Sequence, residues 1–170
     1  MKPLPREFYS RSTVKVAKEL IGKTLVRQIN GRTIAGIISE TEAYTDRDPA
    51  SHSFRGQTAR NSAMFGPPGH AYVYFIYGNH FCLNAVAKRG KSGAVLIRGI
   101  LGTEGPGRLT KRFGINRRLD GIDLTKKGEL FIAGGERFPI TATPRIGITK
   151  AKEKKWRFLI RTSKPRRAAC

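Results

Sequence analysis

Through residues 10–21 the apolar positions Val14, Ala17, Leu20 and Ile21 fall on one helical face, and Gly22 follows them. That spacing predicts a helix stopped at the glycine. The pattern then changes to strand. Residues 23–28 and 33–44 read as two strands joined at Asn30-Gly31, a strong hairpin signal. Residues 45–70 are rich in Gly, Pro, Ser and Asp and carry no periodic apolar run. A loop of that length inside a compact domain is uncommon, and when ordered it usually carries function. Residues 71–77 form a dense aromatic strand, turned at Gly78-Asn79 into a second strand through residue 87. A third buried strand spans residues 93–100 and ends near Arg98. Pro106 opens a short helix to Arg112, and residues 130–133 and 156–161 are late strands.

Composition narrows the partner. With 170 residues, 39% of them apolar, the chain can bury a real core. No linker or repeat divides it, so residues 1–170 are expected to form one domain that includes the basic segment 150–170. Lys and Arg number 33 against 12 Asp and Glu, a formal charge of +21. This points to a polyanion, nucleic acid ahead of an anionic membrane surface. No apolar run approaches the ~18 residues that span a bilayer, and the N-terminus has no signal-peptide apolar core. The expected compartment is the cytoplasm and its nucleoid in a bacterium, or the nucleus in a eukaryote. Cys82 lies in an apolar run and Cys170 ends the chain, so neither a disulfide framework nor a thiolate zinc site is indicated.

Against this charge, four of the 12 acids, Glu40, Glu42, Asp46 and Asp48, sit in one short stretch with Tyr44 and His52 nearby. In an extended segment Ile38, Glu40, Glu42 and Tyr44 point one way. Composition alone favours surface counter-ions for nearby arginines, while a partly buried carboxylate beside an aromatic ring could serve as a general base for water. On the aromatic strand Tyr72, Tyr74 and Ile76 share one face, and Val73, Phe75 and Tyr77 the other. Rings can stack on bases, although for Tyr72 and Phe75 core packing is the simpler expectation. Tyr77 abuts the turn, where a large ring suits a wedge better than a core. His52 lacks further ligands at metal spacing, so no metal site is expected. Arg55, Arg60 and the C-terminal cations are expected to contact phosphates, which gives affinity rather than specificity.

Taken together, Glu42-Ala-Tyr44, Ala50-Ser-His52, Arg60-Asn61, Met64-Phe65, Tyr72-Val-Tyr74, Ile76-Tyr-Gly78 and Phe81-Cys-Leu-Asn84 closely resemble the alkyladenine (3-methyladenine) DNA glycosylase family. The agreement runs from Lys23 to about Arg112, and more loosely through Pro144-Arg-Ile-Gly147 and Arg157-Phe158. The resemblance implies an α+β fold: a single compact domain with a curved antiparallel sheet, surrounding helices and a protruding hairpin. It implies double-stranded DNA with damaged purines as partner, and no cofactor. Tyr77 would fill the gap left by a flipped nucleotide. Its base would stack between Tyr44 and Tyr74 with His52 along its edge, and Asn84 on the pocket floor would disfavour the amino group of guanine. Glu42 would hold and deprotonate the attacking water, helped by Arg98 and the main-chain carbonyl of Ile146.

No lysine resembles a nucleophile, so base release without strand cleavage is expected, from lesions of the 3-methyladenine, 7-methylguanine and hypoxanthine class. A monomer is the default for a small base-flipping enzyme. Two rivals remain: a non-catalytic basic nucleic-acid-binding domain, and a metal-dependent nuclease built on Glu40, Glu42, Asp46 and Asp48. One inconsistency is visible. A two-residue turn at Gly78-Asn79 pairs Tyr74 with Leu83 and puts Asn84 on the opposite face, so a shared pocket requires a longer loop or a bulge.

Overall fold

The computed structural model describes residues 1–161. The end of the basic segment, residues 162–170 with Cys170, lies outside the described residues. Two short helices open the chain, α1 (Arg6–Tyr9) and α2 (Thr13–Leu20). The helix expected over residues 10–21 starts later, at Thr13, because Ser10 belongs to the end of α1, where its hydroxyl and amide both donate to the Arg6 carbonyl. The buried face of α2 is Thr13, Val16, Ala17 and Leu20, with Val14 only half-buried at its margin.

The hairpin of β1 (Lys23–Ile29) and β2 (Arg32–Thr45) turns at Asn30-Gly31 as its sequence predicts, both residues having positive φ. After the long loop come β3 (Ala71–Ile76), β4 (His80–Val86) and β5 (Gly93–Ile100). The two-residue β6 (Thr103–Glu104), helix α3 (Pro106–Arg112), β7 (Leu130–Gly135), β8 (Ile140–Thr143) and β9 (Arg157–Ile160) complete the described chain. All pairings are antiparallel, in the order β3-β4-β5-β2-β1-β7, with β6 beside β5 and β8-β9 docked on β2. The α+β architecture with a protruding β3–β4 hairpin agrees with expectation, although helices are sparse.

β2 organises the sheet. Its first half pairs with β1 and its second half with β9, and β5 lies along its other edge. Register shifts around Ser39 and Glu40 bend the strand where these partners change. Below the sheet, α2 and α3 bury Val16, Leu20, Leu109 and Phe113 against Val73, Leu83 and Val95. Hydroxyls pin the helices in place: Thr13 donates to the Ala87 carbonyl (2.7 Å), Thr41 to that of Ala17 (2.8 Å), and Thr110 to that of Phe81 (2.9 Å). On the opposite face Met64, carried by a 3-10 turn at Ser62–Phe65, forms a second cluster with Tyr72, Tyr74, Cys82 and Leu96, covered by that turn and by loops.

Gly22 is the joint between α2 and β1. Its φ is +83°, its amide donates to the Ile38 carbonyl (2.8 Å), and an added Cβ would lie 2.2 Å from the Glu136 carbonyl oxygen. We predict that Gly22→Ala destabilises the fold by roughly 2 kcal/mol, since both the backbone conformation and the space demand glycine. Urea unfolding of the two proteins measures this directly.

Candidate active site

The β2 bulge decides what the pocket receives. Ile38, Thr41 and Ala43 face the helices, so Ile38 does not share the face of Glu40, Glu42 and Tyr44 as strict alternation would have it. Glu40 and Glu42 both point to the second face and both are buried, yet their settings differ. Glu40 accepts Arg98 Nε (2.9 Å) and Arg157 Nε (2.5 Å) on the same oxygen, which makes it the counter-ion. Glu42 has no exposed side-chain surface. Its Oε2 accepts the Tyr44 hydroxyl (2.7 Å), its Oε1 accepts the Ile146 amide (2.8 Å), and Arg98 Nε lies 3.6 Å away. A carboxylate offers about four acceptor directions, so capacity remains for a water molecule.

The β3–β4 hairpin forms the next wall. Its loop is Tyr77-Gly78-Asn79, one residue longer than the sequence signal suggested, and Ile76 pairs with His80. That extra residue puts Tyr72 opposite Asn84 and Tyr74 opposite Cys82, all on the pocket side. Both Tyr77 (φ 53°) and Gly78 (φ 68°) are left-handed, and the Asn79 amide closes the turn on the Ile76 carbonyl. Tyr77 is 76% exposed at the tip. A bulky residue held at positive φ and given to solvent is a strained position of the kind found at functional sites. Phe75 departs from the expected core packing: it is 41% exposed and rests on Phe81, because the hairpin projects beyond the core. Tyr72 is buried and at the same time lines the pocket.

Residues 45–70 make the roof. Buried Asn61 organises them, donating to the His52 (2.8 Å) and Gly56 (3.0 Å) carbonyls while accepting the Thr58 amide. Hydroxyls of Ser51, Ser53 and Ser92 chain the loop to the start of β5. This leaves His52 edge-on to Tyr74, ring centroids 4.7 Å apart, with Nδ1 3.1 Å from the Tyr72 hydroxyl. A segment at residues 146–150 closes the remaining side, anchored by buried Arg145, which is paired with Asp48.

These elements enclose a cavity of about 660 Å³, within the range of about 300–1,000 Å³ usual for small-molecule sites. Tyr44, His52, Tyr74, Tyr77, Asn84, Arg98 and Ile146, all named from sequence, line it, and Glu42 lies directly behind Tyr44 and Ile146. The Asn84 amide is held by the Tyr72 carbonyl (3.0 Å). At Ile146 the contact found is its amide on Glu42. Arg55 reaches the cavity wall, whereas Arg60 donates to the Phe75 carbonyl and braces the hairpin. No site role was read from sequence for Met64, Cys82 and Leu96 in the wall or for Arg145 behind it, although Met64, Cys82 and Arg145 stand in motifs that carry the family resemblance.

The electrostatics suit a cationic aromatic guest. Burial, reinforced by the charge of Glu42, raises the Tyr44 pKa, burial raises that of Tyr74, and burial pushes Tyr72 up to about 12. All three rings therefore stay neutral hydroxyl donors with electron-rich faces. Burial alone would lower the Arg98 pKa, but Glu42 and Glu40 outweigh it and raise it. Burial, then the charge of Arg60, lowers the His52 pKa, so the ring is neutral at pH 7. Among the described residues no three His, Cys, Asp or Glu side chains gather closely enough to hold a metal ion. In an NMR titration the His52 ring should show a midpoint below its ordinary 6.5. A midpoint at or above that value would mean that the ring is not packed on the tyrosines as described.

Comparison with known proteins shows the family. The methylpurine-DNA glycosylase (MPG) family matches the chain over residues 7–104 and 100–164. A protein of Carboxydothermus hydrogenoformans, provisionally named 3-methyladenine DNA glycosylase, is 43% identical over 95% of this chain and 96% of its own length. Proteins given the same provisional name are 47% identical in Rickettsia rickettsii (strain Sheila Smith), over 93% of this chain and 90% of theirs, and 44% identical in Methanocella arvoryzae, over 96% and 94%. With its family matched along most of its length, this chain belongs to the methylpurine-DNA glycosylases and is a DNA glycosylase.

Proposed function

We propose that the protein is a monofunctional glycosylase of base-excision repair that flips alkylated or deaminated purines out of duplex DNA and hydrolyses their bond to the sugar. The reading rests above all on Glu42, a carboxylate without solvent contact, set against an aromatic cavity and held by the Tyr44 hydroxyl, the Ile146 amide and Arg98. In this reading the flipped purine stacks between Tyr44 and Tyr74, with neutral His52 at its edge. A methylated purine carries positive charge, and electron-rich rings attract it by ~0.5–2 kcal/mol. Asn84 on the floor disfavours the amino group of normal guanine. Exposed Tyr77 takes the space vacated in the duplex.

The bond then breaks with its electron pair passing to the purine, which cancels the positive charge of a methylated base, whereas neutral hypoxanthine leaves as an anion and takes its proton from water. Water oxygen joins the sugar carbon, and its proton passes to Glu42, whose negative charge also stabilises the oxocarbenium-like sugar. Arg98 shares its guanidinium between Glu40 at 2.9 Å and Glu42 at 3.6 Å. No step calls for an amine nucleophile or a cofactor. The substrate range extends over 3-methyladenine, 7-methylguanine and hypoxanthine, and the enzyme works as a monomer on the cell's DNA, in a bacterial nucleoid or a eukaryotic nucleus.

The test is base release, with chelator present, from a duplex containing one 3-methyladenine or hypoxanthine. Wild type should free the base and leave the strand intact until alkali is added. Glu42→Gln should still bind the duplex while releasing base on the order of 10²–10⁴-fold more slowly. Tight binding without release by either protein would make the chain a nucleic-acid binder, and strand cutting abolished by chelator would make it a nuclease. The wedge predicts a trade-off. Tyr77→Asn relieves the left-handed backbone and should leave stability equal or higher by roughly 0.5–1 kcal/mol, while base release falls. Thermal unfolding and release assays on the same preparation measure both.

A further inference from the structure

One ionic contact touches three sides of the cavity without itself lining it. Arg145 and Asp48 both have 0% side-chain exposure. Arg145 Nη1 and Nη2 each donate to one Asp48 oxygen, the latter at 3.0 Å, and Nη1 also donates to the Ala43 carbonyl at 2.8 Å. Its guanidinium lies 4.7 Å from the centroid of Tyr44, on the ring, and 5.4 Å from that of Trp156. Asp48 in turn accepts the Ala50 amide, and its carbonyl accepts that of Ser51, fixing the turn that presents His52. The residue after Arg145 is Ile146, whose amide meets Glu42.

We infer that Arg145 and Asp48 are a positioning pair, which sets the Glu42 carboxylate and the Tyr44 ring against a bound base through Ala43, Tyr44 and the Ile146 amide. The inference deepens the glycosylase reading and rests on it. Three features give the pair this role. It joins the strand carrying Glu42, the loop carrying His52 and the segment carrying Ile146 through two side chains with 0% exposure. The planar fork of arginine satisfies both Asp48 oxygens and a strand carbonyl at once, which a lysine cannot do. The guanidinium also packs over the Tyr44 ring, which lines the cavity, and over the Trp156 ring, and so supports Tyr44 without lining the cavity itself. Lys154 Nζ, 3.9 Å from Asp48 and 4.4 Å from the Trp156 ring, supplements the pair at its rim.

The test uses Arg145→Lys and the double variant Arg145→Met with Asp48→Asn, which removes both charges together and so leaves neither unpaired. Three quantities are read: hydrogen exchange at the Ile146 amide, the single-turnover rate of 7-methylguanine release at saturating protein, and the preference for a duplex carrying a cationic pyrrolidine sugar analogue over one carrying a neutral tetrahydrofuran. The variants should bind the neutral duplex within about threefold of wild type, because the basic surface is intact. They should lose protection at Ile146, release base on the order of 100-fold more slowly, and lose most of the cationic preference. A retained rate and preference, within about threefold of wild type, would overturn the inference whatever the stability of the variants. Should the double variant not fold, the lysine variant decides by the same readings. If wild type itself releases no base, the glycosylase reading fails, and protection at Ile146 still decides whether the pair positions the segment on Glu42.

Discussion

Two carboxylates two residues apart on one buried strand cannot both be left to their own repulsion, and the site exists because arginines from both flanking strands resolve it. β5 supplies Arg98 and β9 supplies Arg157, which meet on Glu40 at 2.9 and 2.5 Å. Desolvation costs several kcal/mol per ion, and removing one partner of such a buried set costs about 3–5 kcal/mol. Glu40 is therefore what lets Arg98 remain buried beside Glu42. The neighbouring carboxylate is then free to take its hydrogen bonds from weaker donors, a phenol and an amide, and retains unused acceptor directions. In the proposed mechanism the roles of counter-ion and catalyst therefore fall to two residues.

The rest of the fold delivers groups to that carboxylate. The bulge at Ser39 and Glu40 sends Ile38, Thr41 and Ala43 to the helices while Glu40, Glu42 and Tyr44 face the cavity. Helices cover one side of the sheet and pin it by threonine hydroxyls. Loops cover the other, so the cavity has a rigid floor beneath a roof that is set by polar contacts. Cooperation between these layers also explains the exposed aromatic at the hairpin tip. Holding Tyr77 in a left-handed turn costs of order 1–3 kcal/mol, a strain that a firmly paired β3–β4 ladder can hold. The formal charge of +21 brings the polyanion to this surface but does not select a base.

Much of this was legible in the sequence where local chemistry decides structure. Asn30-Gly31 specifies its turn, Pro106 opens α3, and the apolar run at Gly93–Ile100 is a buried strand. The hairpin register was not, because the pattern offers Gly78-Asn79 as the turn while the chain instead forces Tyr77 to positive φ. β8 escaped for a different reason: Ile140–Thr143 is mostly exposed and is ordered by pairing with β9 rather than by its own pattern. The site residues emerged through a family resemblance, and geometry then brought them to one cavity. What separates Glu40 from Glu42, or marks Arg145 among so many cations, is which strand lies beside which. No linear pattern carries that.

The most direct test of the central claim, that water held at Glu42 replaces the purine, is single-turnover excision of one methylated purine from a duplex in heavy-oxygen water, with borohydride present in a parallel reaction. Heavy oxygen is expected on the sugar carbon and none in the released base, with an unbroken strand until alkali is added and no protein–DNA adduct. A borohydride-trapped adduct, or a product sugar without the label, would contradict that claim.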